Sequence, residues 1–209
     1  MNIGETEVNE YPWLVRLDCD GCGVEECAGA LISDRHVLTS AECTVNHNVS
    51  HVVLGEHNHQ LPFETKELRM EVKSKITNPS FDQHQNDASG GLDVGLDNNL
   101  ALLELQDPVN YVDYPHICPI CLPEALPPPR HHDFTENKGF VAGWGAIDKS
   151  YAKKSHFLKE VEVKILSNQV RNYIISNCLH KSFLLEILSF RSVNGLLENK
   201  NQISKLNQQ

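Results

Sequence analysis

The sequence predicts an all-β chain organised around a closed barrel, and three observations predict it. Short apolar or alternating runs at 11–17, 28–39, 49–55, 66–76 and 100–106 are separated by turn residues, a spacing that fits a barrel rather than βαβ units. The stretch from Pro115 to Pro129 holds six prolines, offers few donors to a sheet ladder, and predicts an extended linker. With 40% apolar residues over 209 positions, the chain can bury a core in one domain or two small lobes.

Each element follows in order. Between the fourth and fifth runs, Asp82–Asn98 contains Ser89-Gly90-Gly91 and four Asp, which predicts a surface loop. After the linker come two strand candidates, 139–144 and 157–164, and then a short helix over Ser167–Asn177 with cap and spacing in place. Beyond Cys178 the composition changes: residues 179–209 carry seven Asn or Gln, one Gly and no Pro, and reverse the charge balance with 4 Lys and Arg against 2 Asp and Glu. Apolar residues at 183, 184, 187, 188, 196 and 197 could give this divergent tail a helical greasy face. The organisation expected is a first barrel at 1–122, a Pro-rich linker at 123–138, a partial second barrel at 139–178 and the tail at 179–209.

A formal charge of −10 argues against nucleic acid or an anionic membrane surface as partner. No run approaches 18 apolar residues, so no membrane-crossing helix is expected. Seven cysteines point to an oxidising compartment and an extracellular protein, although the first 25 residues show no signal peptide.

Six segments, in order along the chain, then carry a resemblance. They are Cys27-Ala-Gly-Ala-Leu-Ile-Ser-Asp-Arg-His-Val-Leu-Thr-Ser-Ala-Glu42-Cys43, Val53-Leu-Gly-Glu-His57, Ile76-Thr-Asn-Pro-Ser-Phe81, Asn98-Asn-Leu-Ala-Leu-Leu103, Ile117-Cys-Pro-Ile-Cys-Leu-Pro123 and Phe140-Val-Ala-Gly-Trp-Gly145. Together they resemble the chymotrypsin-like serine proteases over roughly residues 1–178, with Glu7-Val-Asn-Glu-Tyr-Pro-Trp13-Leu-Val as the entry to the domain. The resemblance implies a double β-barrel, the first barrel complete and the second truncated, with about four strands replaced by the divergent tail.

The catalytic positions it implies are changed. Glu42 stands where the family carries the base histidine. A glutamate carboxyl titrates near ~4.3 in water, roughly two units below imidazole, and lacks the second ring nitrogen that an orienting carboxylate grips. Asn99 stands where the family has the orienting aspartate. An amide there supplies no negative charge and favours the wrong tautomer, a change that costs about 10⁴-fold in the chymotrypsin-type triad. The nucleophile motif Gly-Asp-Ser-Gly-Gly is missing; beyond Cys178 stand only Ser182, Ser189, Ser192 and Ser204, none in that context. The oxyanion-hole amides would be lost with it. Met1-Asn2-Ile3-Gly4 also begins about one residue too late for the family's activating amine, whose Asp partner is missing too.

The resemblance further pairs Cys27 with Cys43 across the histidine turn. A zinc reading of Cys19, Cys22, Cys27 and Cys43 lacks a second Cys-x-x-Cys and ranks below a disulfide. The partners of Cys118 and Cys121 stay open, and Cys178 is the odd thiol. A calcium loop on Glu56, Asn58, Glu64 and Glu67, one residue longer than the usual pattern, competes with an acidic solvent-exposed turn. His47, His51, His57 and His59 read as a solvated loop rather than a metal site. His36 reads as a structural strand residue. Asn48-Val49-Ser50 is a glycosylation sequon, meaningful in a secreted chain, whereas Pro79 excludes Asn78-Pro79-Ser80. The function expected is that of a proteolytically inactive homologue that requires no cofactor and presents surface loops to a protein partner. A secreted endopeptidase represented by a truncated gene model, and a fragment without function, are the competing readings.

Overall fold

The computed structural model describes residues 3–20, 27–61, 64–83, 96–122, 135, 137–147, 154–165 and 167. Its strands are β1 (Ile3–Glu5), β2 (Leu14–Asp20), β3 (Ala28–Leu31), β4 (His36–Thr39), β5 (Asn48–Leu54), β6 (Leu68–Thr77), β7 (Asp82–Gln83), β8 (Leu96–Asp97), β9 (Ala101–Leu105), β10 (Lys138–Gly143) and β11 (Lys159–Lys164). One short helix, α1 (Ala41–Asn46), lies between β4 and β5.

Six strands close into a barrel in the order β2-β3-β4-β9-β6-β5, so the first barrel is complete. All of its neighbouring strands run antiparallel, and closure removes the open edges that a flat sheet would expose. Its core follows the period-2 rule: Val15 and Leu17 of β2, Val52 and Leu54 of β5, and Leu103 and Leu105 of β9 are each 0–1% exposed. Burying such side chains stabilises by about 1.5–3 kcal/mol each. Gly29 lets β3 pass close to β4, since a Cβ there would lie 2.8 Å from the Leu38 carbonyl oxygen and the Val37 side chain. The chain leaves the barrel through Ile117, which is fully buried and belongs to the core cluster. Cys118 N–H donates to the Pro12 carbonyl and Ile120 N–H to the Leu31 carbonyl. The start of the Pro-rich stretch is therefore fastened to the barrel, and residues 123–134 and 136 of the expected linker lie outside the described residues.

A second, three-stranded sheet has the order β1-β11-β10 and is what the described residues form of the second barrel. Its strands β10 and β11 answer the two strand candidates after the linker. The partner β1 was not foreseen: Ile3 pairs with Val161 and Glu5 with Lys159, so the start of the chain lies outside the barrel although it falls within 1–122. Strands β7 and β8 pair across the expected surface loop. The expected helix over Ser167–Asn177 and the tail at 179–209 lie outside the described residues, apart from Ser167.

The two sheets meet at a small hydrogen-bonded seam. The His57 carbonyl accepts both the Leu158 N–H (2.8 Å) and the indole Nε1–H of Trp144 (3.1 Å). His57 Nε2 lies 3.1 Å from the Thr6 carbonyl, and Thr6 in turn donates its N–H and its hydroxyl to the Leu158 carbonyl, both at 3.2 Å. Thr6, His57, Trp144 and Leu158 are all buried.

Candidate functional site

Ser40 accepts the Cys43 N–H through its hydroxyl and caps α1, whose first turn carries Glu42. A carboxylate is favourable at that end of a helix, so the local fold accepts Glu42 without loss. Ala41 is fully buried and sets α1 against the barrel, while Glu42 is half-buried. On the facing segment Asn98 adopts a left-handed conformation (φ +57°), which asparagine tolerates, and its side chain donates to the Ser80 carbonyl. Asn99 then turns inward, 6% exposed, and its Oδ1 accepts the Glu42 backbone N–H at 2.9 Å. The structure thus brings together the two residues that the resemblance singles out.

What that pair can do is limited. Asn99 satisfies a backbone donor and carries no charge, so nothing here orients or charges a base. Glu42 offers a carboxylate with no imidazole.

The Cys27–Cys43 disulfide ties β3 to α1 with a Cα–Cα separation of 6.0 Å. Cys19 is also disulfide-bonded, so three of the four thiolates of the zinc reading are unavailable. Cys118 and Cys121 are free and exposed. Cys22 and Cys178 lie outside the described residues.

The three carboxylates of the calcium reading, Glu56, Glu64 and Glu67, are not grouped as metal ligands. Glu56, whose side chain is only 2% exposed, lies 3.6 Å from the Arg16 guanidinium, itself 12% exposed. Desolvation, and then the neighbouring Glu67, push its carboxyl above the ordinary range against the opposing pull of Arg16. Glu64 turns to His57 Nδ1 at 3.4 Å, and the Asn58 side-chain oxygen accepts the Gln60 N–H. Among the described residues no three His, Cys, Asp or Glu side chains are grouped as metal ligands. Arg16 lies beside one carboxylate oxygen of Glu56, whose other oxygen, Oε1, is buried without a hydrogen-bond partner.

The histidine loop also differs from expectation. His57 is 5% exposed rather than solvated, because it packs against Phe157 and joins the seam. His59 faces His156 with ring centroids 5.2 Å apart. His36 sits in β4 with its Nδ1 2.8 Å from the Ser33 hydroxyl, a structural contact. Asn48 is exposed at the start of β5 and accepts a hydrogen bond from Lys75. Ile3 is 46% exposed in β1. Sequence reasoning missed Arg16 and Trp144; the aromatic in Phe140–Gly145 was a visible signal for the second, and nothing local marked the first.

Comparison with known proteins fits this geometry. The sequence model of the trypsin family matches residues 2–184. The chain is 32% identical over 192 residues to serine protease filzig of Drosophila melanogaster, covering 88% of this chain and 10% of that protein. It is 29% identical over 175 residues to the proclotting enzyme of Tachypleus tridentatus (78–79% of this chain, 43% of that protein) and to a venom protease of Bombus pensylvanicus (65% of that protein). The chain therefore spans less than two thirds of each of these relatives. With a complete six-stranded barrel and a family match over most of the chain, this protein belongs to the trypsin family of serine protease domains.

Proposed function

We propose that this chain is a proteolytically inactive trypsin-family domain that acts outside the cell by binding a protein partner. One observation carries the reading: at the position of the general base stands Glu42, held by an amide, Asn99, where an orienting carboxylate is needed. Disulfides at Cys27–Cys43 and Cys19 support an oxidising location. No helix among the described residues is long and apolar enough to cross a membrane. The binding face is made of loops carried by the rigid first barrel.

The test is a fluorophosphonate probe together with ester and peptide substrates bearing Arg, Lys, Phe or Ala. No adduct and no hydrolysis are expected; a single-site covalent adduct overturns the reading. A second reading, an active endopeptidase, is favoured by the protease names of the relatives. Sequencing the transcript at codon 42 and through the codons after Cys178 separates the two, since an active enzyme needs a histidine at the first place and a Gly-Asp-Ser-Gly-Gly segment at the second.

A further inference from the structure

We infer that Asn48 is an N-glycan acceptor. The chain contains two Asn-x-Ser triplets, and the structure sets them apart. Asn78 is 3% exposed, its side-chain oxygen is held by the Ser80 N–H at 2.9 Å, and Pro79 occupies the middle position. Asn48 is exposed at the first residue of β5, just past the end of α1. Val49, 2% exposed, turns into the core between Asn48 and the half-buried Ser50. Lys75 Nζ donates to Asn48 Oδ1 at 3.1 Å and steadies the amide oxygen. The register of β2 against β5 shifts between Asp18 and Cys19, so the ladder is irregular where Ser50 lies. A sequon is modified on the nascent chain, and the fold has only to leave room for the product; Asn48 meets that condition and Asn78 does not.

The step takes an oligosaccharide from a polyprenyl-diphosphate-linked donor. A bond forms between the sugar's anomeric carbon and Asn48 Nδ2, the bond from that carbon to the diphosphate oxygen breaks, and the amide proton and the diphosphate leave. The inference rests on the extracellular reading proposed above, so the experiment removes that dependence: the full chain is secreted from eukaryotic cells behind a heterologous leader. The expected result is a mobility step removed by peptide-N-glycosidase, with Asn48 converted to Asp in the released peptide. Asn48→Gln and Ser50→Ala each abolish the step, and Ser50→Thr retains it. Unmodified Asn48 in secreted protein that carries the Cys27–Cys43 bond overturns the inference, whatever the chain's own route out of the cell. A step that survives both Asn48→Gln and Ser50→Ala overturns it equally.

Discussion

Asn99 accepts the backbone N–H of Glu42 through its side-chain oxygen at 2.9 Å, and this one bond fixes what reversion can achieve. The remaining side-chain group of Asn99 is an N–H donor, which meets an imidazole only in the tautomer that is wrong for proton abstraction from a hydroxyl. Glu42→His therefore restores a base without an orienting charge, in a sequence that carries no Gly-Asp-Ser-Gly-Gly segment. No turnover is expected from Glu42→His, nor from Glu42→His combined with Asn99→Asp, because triad members act as a unit. Peptide hydrolysis by either variant, with a serine-directed adduct, would mean that an unrecognised nucleophile is present.

The same bond is structural. Asn99→Ala leaves the partly buried Glu42 N–H without its acceptor, which costs about 1–3 kcal/mol. Asn99→Asp keeps the acceptor. Urea unfolding should show a clear loss for the first and a much smaller change for the second.

Arg16 and Glu56 form the most buried ion pair among the described salt bridges. Removing one member of such a pair leaves an uncompensated charge and costs about 3–5 kcal/mol. Arg16→Met should destabilise by that order, and Arg16→Met with Glu56→Gln should recover part of it, as a double-mutant cycle in urea would report. Because Glu56, Glu64 and Glu67 are not grouped as metal ligands, calcium chloride against chelator should leave the melting temperature of the natural chain unchanged. A calcium-dependent rise in melting temperature would sink this account.

Burial raises the Glu56 carboxyl above its ordinary value of 4.5. The sign follows from linkage: the folded state holds this proton to higher pH than the unfolded state, so the group stabilises below its unfolded value and that contribution is lost as pH rises through the folded value. Glu56→Gln removes the titration. Stability of Glu56→Gln relative to the natural chain should therefore increase as pH rises from about 4.5 toward neutrality. A difference that is flat with pH, or falls, contradicts the assignment.

Much of this was legible in the sequence because it rests on local pattern. The apolar runs in Val49–Leu54 and Ala101–Leu105 mark β5 and β9, and the ordered motifs single out Glu42 and Asn99. What the sequence hid depends on partners far apart in the chain. Arg16 meets Glu56 only because β2 pairs with β5, with Val15 opposite Leu54 and Arg16 opposite Val53. The four oxygen donors looked like a calcium set because spacing alone cannot show that His57 takes Glu64 and a guanidinium takes Glu56. The β1 strand was invisible for the same reason: its partner β11 lies more than 150 residues away.

The count of missing strands favours a first barrel that survives by itself while the second sheet comes apart. The structure ties them instead through Trp144, 3% exposed, whose indole N–H and the Leu158 N–H converge on the His57 carbonyl, with Thr6 bridging Leu158 and the His57 ring. Each such bond contributes about 0.5–1.5 kcal/mol net, and the buried indole contributes more. The chain holds two tryptophans, so Trp13→Phe leaves Trp144 as the sole indole reporter of the second sheet. Its fluorescence transition in urea should coincide with loss of the barrel's circular dichroism. Trp144→Phe, tested in the otherwise natural chain, should lower stability modestly by the lost hydrogen bond, whereas Trp144→Ala should lower it by about 3–5 kcal/mol. If Trp144 becomes solvent-exposed at clearly lower urea than the barrel unfolds, the seam does not couple the two sheets, and the barrel stands as an independent unit.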